Sequence, residues 1–360
     1  MKNGAVTKRL AAAAVAIALA LGGTAIAQTK VVFGDASGAS VADAPIFVAR
    51  QLGYFESEGI ALDIRAFPGG ANTVAQTVNG TALLSWPGNE PVIIGKQPGR
   101  DILPLRFFYN ALPTVIWEMV VKEDSPIKSL ADLKGRKIGI FAPSASNVPQ
   151  VKAILRHEGL NPDTDVTMRS IGLGASALNA LNTGVVDVVA LYDTEHAAFE
   201  TAGAHIRRLP VSPVVAKLFS NGLLTRDENL QNASTRELLV KVARAMAKGT
   251  LFCETNPRAC VTLTWRDHPE LKPTGVDDAA AMSQTLWILE ARLKNLKLRD
   301  YQDGQYGKYA AAAWQDYVSF MLTEKVLDQP VDIGTLYTND LIPEINKFDH
   351  DAVIKQAKAM

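Results

Sequence analysis

Hydrophobic positions follow two periods over the first two thirds of the chain and one over the last third. Residues 31–34, 60–67, 81–85, 102–109 and 115–122 are rich in β-branched and aromatic residues and predict strands. Between them, 45–52 and 72–78 predict helices. Pro45 falls in a first turn, where its missing N–H is harmless. Gly59, after a turn at 54–58, and Gly80, after the second helix, read as left-handed stops. A second block then repeats the rhythm: short helix 129–133, strand 137–141, helix 148–157, strand 166–171, helix 176–181 stopped by Gly184, strand 185–191, helix 194–202 and strand 205–209. This β-α-β-α order predicts mostly parallel sheets covered by helices. From Thr235 onward the pattern is almost purely helical, over 236–255, 257–267, 277–293 and 310–322. Leu238, Leu239, Val242 and Met246 form one apolar stripe. Two α/β blocks and a helical C-terminal region predict two lobes, 28–115 plus 225–360 and 116–224. Two crossings near 113–118 and 220–225 would make a hinge.

The first 27 residues read as an export signal. Lys2, Lys8 and Arg9 precede an apolar run at 10–21, and Ala25-Ile26-Ala27 supplies small residues at a cleavage site. The run is too short to span a bilayer comfortably, so an uncleaved anchor is the lesser alternative. No cysteine stands at the cut for lipidation. The expected location is the periplasm, with the mature chain starting near Gln28.

Composition narrows the partners. The 360 residues include 37 basic and 37 acidic ones, and loss of the three basic residues above leaves −3 (34 − 37). No basic stripe is present, which excludes nucleic acid as the expected partner. Cys253 and Cys260 flank Asn256-Pro257, which reads as a helix end followed by a capped helix start. Such a corner can join the sulfurs, and an exported chain would oxidise them to a disulfide. The alternative is two buried free thiols.

Catalytic patterns are scarce. His157, His196, His205, His268 and His350 show no zinc spacing, and no metal is expected. No nucleophile elbow, dinucleotide fingerprint or phosphate loop occurs. Asp187 and Asp193 could pair for acid–base work, although a strand-entry turn and a loop contact suit them better. No catalytic residue and no cofactor are assigned. Four polar loops follow strands instead, where open α/β sheets bind ligands. The candidates are Ser37, Ser40 and Asp43 in loop one, Trp86 and Asn89 in loop two, Ser144, Ser146 and Asn147 in loop three, and Tyr192 and Asp193 in loop four. Loop three precedes a helix whose free N–H groups and positive end can hold an anion; plain capping by Ser146 or Asn147 is the competing role. Trp86 and Tyr192 can stack on a flat ligand or fill a wall, and Asp43 can contact ligand or cap a helix.

Four segments resemble one family. Ala-Pro-Ile-Phe-Val-Ala-Arg-Gln-Leu-Gly-Tyr-Phe-Glu-Ser-Glu-Gly-Ile-Ala-Leu-Asp-Ile at 44–64 resembles the signature of nitrate/sulfonate/taurine-type solute-binding proteins of ABC importers, a group that includes thiamine-precursor-pyrimidine binders. Ser-Leu-Ala-Asp-Leu-Lys-Gly-Arg-Lys-Ile-Gly-Ile at 129–140, Ala-Leu-Asn-Thr-Gly-Val-Val-Asp at 180–187 and Leu-Tyr-Thr-Asn-Asp-Leu-Ile-Pro-Glu-Ile-Asn at 336–346 are similar to its later landmarks, in the same order. The resemblance implies an α/β fold of the periplasmic-binding-protein type II, with two lobes, mixed parallel sheets and a hinge. It implies a monomer that binds a small-molecule ligand, hands it to an ABC permease and its ATPase, and meets the membrane only through that permease. Loops one to four contain no arginine or lysine, so the expected ligand is a small organic sulfonate, carboxylate or relative held by neutral donors. Two other roles share the fold: a cytosolic thiamine-pyrimidine synthase, using a lysine-bound pyridoxal phosphate and clustered cysteines, and a ligand-loaded receptor for a sensor protein.

Overall fold

The computed structural model describes residues 28–100 and 103–360; the leader assigned to 1–27, and the first residue of the strand expected at 102–109, lie outside the described residues. The first block folds as strands β1 (Thr29–Asp35), β2 (Ile60–Ala66), β3 (Leu84–Ser85) and β4 (Leu105–Asn110). The second folds as β5 (Trp117–Lys122), β6 (Lys137–Ile140), β7 (Thr167–Ser170), β8 (Val188–Tyr192) and β9 (Ile206–Arg208), and β10 (Gly222–Arg226) follows. They make two five-stranded sheets, ordered β2-β1-β3-β10-β4 and β7-β6-β8-β5-β9. Each sheet is parallel at its heart, β1 beside β2 and β3, β6 beside β7 and β8. Each turns antiparallel where the chain returns from the other lobe: β10 runs against β3 and β4, β5 against β8 and β9. The sequence pattern assigns 222–226 to a crossing; its strand character comes from partners far away in the chain, which no local period encodes.

The helices are α1 (Ala44–Gln51), α2 (Gly70–Val78), α3 (Glu90–Gly95), α4 (Val148–His157), α5 (Ala175–Asn182), α6 (Asp193–Thr201), α7 (Ala233–Thr255), α8 (Pro257–Asp267), α9 (Asp278–Leu293) and α10 (Ala311–Thr323). Val31 and Phe33 of β1 pack with Ile46 and Val48 of α1 and with Leu239, Val242 and Met246 of α7. A second core joins Val92, Leu105 and Phe107 to Ile138, Val151 and Ile154 through Trp314, Tyr317 and Phe320 of α10. The C-terminal region therefore touches both sheets. On α9, Met282 and Leu289 share the first core, while Trp287 Nε1 donates to Glu200 of α6 at 2.8 Å. Helices of 225–360, expected to return to the first lobe, thus also touch residues of 116–224.

The two crossings are tied to each other. Leu112 N–H donates to the Asn221 carbonyl at 3.0 Å, Ser220 N–H to the Leu112 carbonyl at 3.1 Å, and Ile116 N–H to Ser220 Oγ at 3.0 Å.

At the end of α7, Asn256 breaks the helix and caps α8, accepting the Ala259 N–H at 3.0 Å, with Pro257 in the first turn. The corner sets Cys253 and Cys260 4.9 Å apart at Cα, with the sulfurs 2.08 Å apart. For a loop this short the bond should stabilise by about 2 kcal/mol, or about 3 °C in melting temperature for a chain of this size. Calorimetry with and without reductant, and thiol labelling of the unfolded, unreduced protein, check this. Two labels per chain would contradict it.

Candidate functional site

Strand ends of both sheets converge on one partly open cavity of about 60 Å³. Asp35 ends β1, Trp86 follows β3, Phe141 follows β6, and Tyr192 ends β8. Trp117 opens β5, which runs antiparallel to β8 and so brings its first residue to the same edge. The ring of Trp117 meets that of Tyr192 edge-on at 5.9 Å. Crossing residue Asn221 and α9 residue Arg292 complete the lining.

Six of the ten expected residues line this cavity: Ser37, Asp43, Trp86, Ser146, Asn147 and Tyr192. The other four stand behind it. Ser40 caps the helical turn at Val41–Asp43, its N–H and Oγ both 3.0 Å from Asp43 Oδ2. Asn89 is buried and donates its amide to the Ser220 carbonyl, bracing a crossing. Ser144 offers its carbonyl to the Ala71 N–H at 3.0 Å. Asp193 begins α6 and is fully enclosed by Arg292, whose Nη2 lies 2.7 Å and Nε 3.2 Å from it, and by Asn295 Nδ2 at 2.9 Å. Asn147 does not take the competing capping role either: its side chain makes no cap bond and instead reaches the Ala190 carbonyl at 3.4 Å.

The sequence reading missed Asp35, Trp117, Asn221 and Arg292. Asp35 and Trp117 were legible as residues at strand ends. Arg292 was not, because it sits in the last turn of a C-terminal helix and looks there like an ordinary dipole-compensating cation.

Across the cleft the lobes touch. Ser146 Oγ accepts the Gly88 N–H at 3.0 Å. A Cβ on Gly88 would lie 2.5 Å from Ser146 Cβ, and one on Gly70 2.9 Å from it, so this approach requires glycine. The N–H groups of Ser146 and Asn147, just ahead of α4, have no protein acceptor among the described residues. Two buried carboxyls, Asp35 and Asp43, line the same cavity. Burial, then the neighbouring charge of Asp35, pushes Asp43 up to about 8, and burial raises Asp35 as well. Behind the site, burial lifts Glu90 to about 7 although Tyr317 Oη donates to it at 2.6 Å.

Residues 41–260 match the family described as NMT1/THI5 like. The chain belongs to the NMT1/THI5-like family. Among relatives of this NMT1/THI5-like protein is the riboflavin-binding protein RibY of Chloroflexus aurantiacus, 24% identical over 306 residues, 83% of this chain and 82% of RibY. The 4-amino-5-hydroxymethyl-2-methylpyrimidine phosphate synthase of Legionella pneumophila is 23% identical over 308 residues, 83% of this chain and 88% of the synthase. The alkanesulfonate-binding protein SsuA from Xanthomonas axonopodis pv. citri, solved with MOPS, superposes with a TM-score of 0.61 at 16% identity over 87% of this chain and 100% of its own. The architecture is thus that of the periplasmic binding proteins: two lobes, mixed sheets and a helical C-terminal region.

The raised carboxyls of this NMT1/THI5-like protein set a pH dependence. Asp35, Asp43 and Glu90 hold protons in the folded state that the unfolded chain releases. The contribution of Asp43 and Glu90 is complete below the ordinary carboxyl range and is lost as pH rises through about 7 to 8, and Asp35 acts in the same direction. Ligand-free protein should melt lower at pH about 9 than at pH about 5.5, and Asp43→Asn should flatten the profile. Differential scanning fluorimetry checks it; a profile rising across that window would contradict the assignment.

Proposed function

We propose that the protein is the solute-binding component of an ABC importer, capturing a small organic molecule between its lobes and delivering it to a membrane permease. The observation that carries this reading is the cavity itself, lined by residues of both lobes, with the lobes in contact beside it through Ser146 and Gly88. Only a closed form gives a ligand both walls, so binding and closure are coupled, and the paired crossings at Leu112 and Ser220–Asn221 serve as the hinge. The first lobe is 28–115 with most of 225–360 and the second 116–224. Residues 1–27 act as an export signal, placing a monomer in the periplasm.

The cavity limits the ligand. About 60 Å³ has room for roughly four to six waters, which points to a small ligand or to one that extends through the open side. Trp86, Trp117 and Tyr192 suit a flat body. The open N–H groups of Ser146 and Asn147 suit an acceptor oxygen, whether of a sulfonate, a carboxylate or a carbonyl. The relative named as a pyrimidine phosphate synthase raises an enzymatic alternative. Binding is favoured over it because no lysine, histidine or cysteine is among the lining residues, and the two cysteines are joined far from the cavity. A receptor role for a sensor protein would use the same site.

A thermal-shift panel of sulfonates, carboxylates, nitrate, pyrimidines and flavins tests the reading. A true ligand at a hundred times its Kd should add about 2.7 kcal/mol. With that compound, Trp86→Ala and Ser146→Ala should each weaken binding about tenfold or more; Ser146→Ala should keep ligand-free stability near the parent's, while the buried Trp86 costs some. Unchanged affinity in both variants would place the ligand elsewhere.

A further inference from the structure

Three consecutive residues tie the lobe contact, a crossing and a buried acid together. Gly88 N–H donates to Ser146 Oγ across the lobes, and the Asn89 amide donates to the Ser220 carbonyl at a crossing. Glu90 then opens α3 with its side chain turned inward, 1% exposed. Its Oε1 accepts from Tyr317 Oη of α10 at 2.6 Å. Its Oε2 is fully occluded and has no hydrogen-bond partner among the described residues. That oxygen lies at the lobe contact itself. A Cβ placed on Gly88 would meet Ser146 Cβ at 2.5 Å and Glu90 Oε2 at 2.9 Å, so the serine of one lobe and the acid of the other share the space a side chain there would fill. An ionised oxygen shut in without a partner is costly, and a protonated one far less so. Burial accordingly lifts Glu90 to about 7, against the lowering effect of Tyr317. No charged side chain bonds to it among the described residues. Helix α2, packed beside α3, carries no ionisable residue. Lys152, Arg156 and Lys325 lie along a groove at Ile94, one turn further on, and Asp35 and Asp43 stand with Ser146 in the ligand cavity.

Resting on the solute-binding reading above, we infer that Glu90 couples lobe closure to the uptake of a proton, so that the closed, loaded form is favoured by acid and loosened by base. With the lobes together, Ser146 and Gly88 seal the second oxygen from water and the carboxyl keeps its proton. Asn89 holds the turn at the crossing, so on opening it is Ser146 that leaves. Water then reaches the oxygen, and the group ionises nearer the ordinary carboxylate range. The closed-form pKa lies above the open-form one. The help that Glu90 gives to closure is therefore complete below the open-form value and is lost as pH rises through about 7. A solute is held more tightly in an acidic medium and released more readily in a neutral or alkaline one.

Titration calorimetry tests this with the compound of the thermal-shift panel that raises the melting temperature most. From pH about 6 to about 8 its affinity for the parent should fall about three- to tenfold more than its affinity for Glu90→Gln, whose amide fills the same place without titrating. Comparing the two proteins at each pH cancels what Asp35 and Asp43 contribute. At pH about 6.5, in buffers of different ionisation enthalpy, binding to the parent should take up roughly half a proton or more beyond binding to the variant. Tyr317→Phe removes the bond that lowers Glu90 and should move the affinity transition to higher pH, a shift that a merely structural role would not produce. Equal pH dependence and equal proton uptake in parent and Glu90→Gln would overturn the coupling and leave the binding role standing. A transition that stays in place or moves to lower pH in Tyr317→Phe would also overturn it, and decides the matter if Glu90→Gln does not fold. A panel in which no compound binds would contradict the binding role, and the coupling with it.

Discussion

The site depends on how closely one serine can approach two glycines. Ser146 reaches across the cleft to the Gly88 N–H, and its side chain lies against Gly70, where any Cβ would collide. Neither glycine has a left-handed backbone, so neither is present for conformational freedom. Both are there because two pieces of main chain must pass beside a side chain with nothing between them. Remove that approach and the walls of the cavity separate: Asp35, Asp43 and Trp86 stay with the first sheet, and Trp117, Asn147 and Tyr192 with the second.

The helical C-terminal region supplies the other half of the design. Helix α9 packs on the first core, yet it delivers Arg292 to Asp193 at the start of α6. Burying one carboxylate and one guanidinium together, with Asn295 also donating, avoids leaving either charge alone in a low-dielectric interior. It also makes α9 a strut between the lobes near the ligand. Because the arginine is paired there, the cavity's other titratable carboxyls are Asp35 and Asp43, which burial shifts toward the protonated form. A loop-by-loop reading finds neutral donors and predicts an anion; the fold adds two buried carboxyls, Asp35 and Asp43, to the same cavity lining.

Much of the fold was legible. Helix α4 begins and ends where its period says it should, and α8 is bounded by Asn256-Pro257 at one end and Asp267 at the other. These are local signals, fixed by capping and by a 3.6-residue stripe. What escaped was non-local. Strand β10 exists because β3 and β4 leave a slot between them, and α3 exists because Glu90 and Pro91 open a turn in a segment that reads as loop. The site divided along the same line. Strand-end positions brought Ser37, Asp43, Trp86, Ser146, Asn147 and Tyr192 to the cavity, while Ser40, Asn89, Ser144 and Asp193 proved to serve the backbone, a crossing, the lobe contact and Arg292. A polar residue beside a strand end has as many uses behind a cavity wall as in it, and only the partners decide.

If closure through Ser146 forms the site, small-angle scattering of the double variant Gly70→Ala/Gly88→Ala tests it most directly. Without ligand, parent and variant should share one radius of gyration. With saturating compound from the thermal-shift panel the parent should contract, while the variant should keep its larger radius and bind weakly. A variant that contracts as the parent does, with the same affinity, would contradict the central claim.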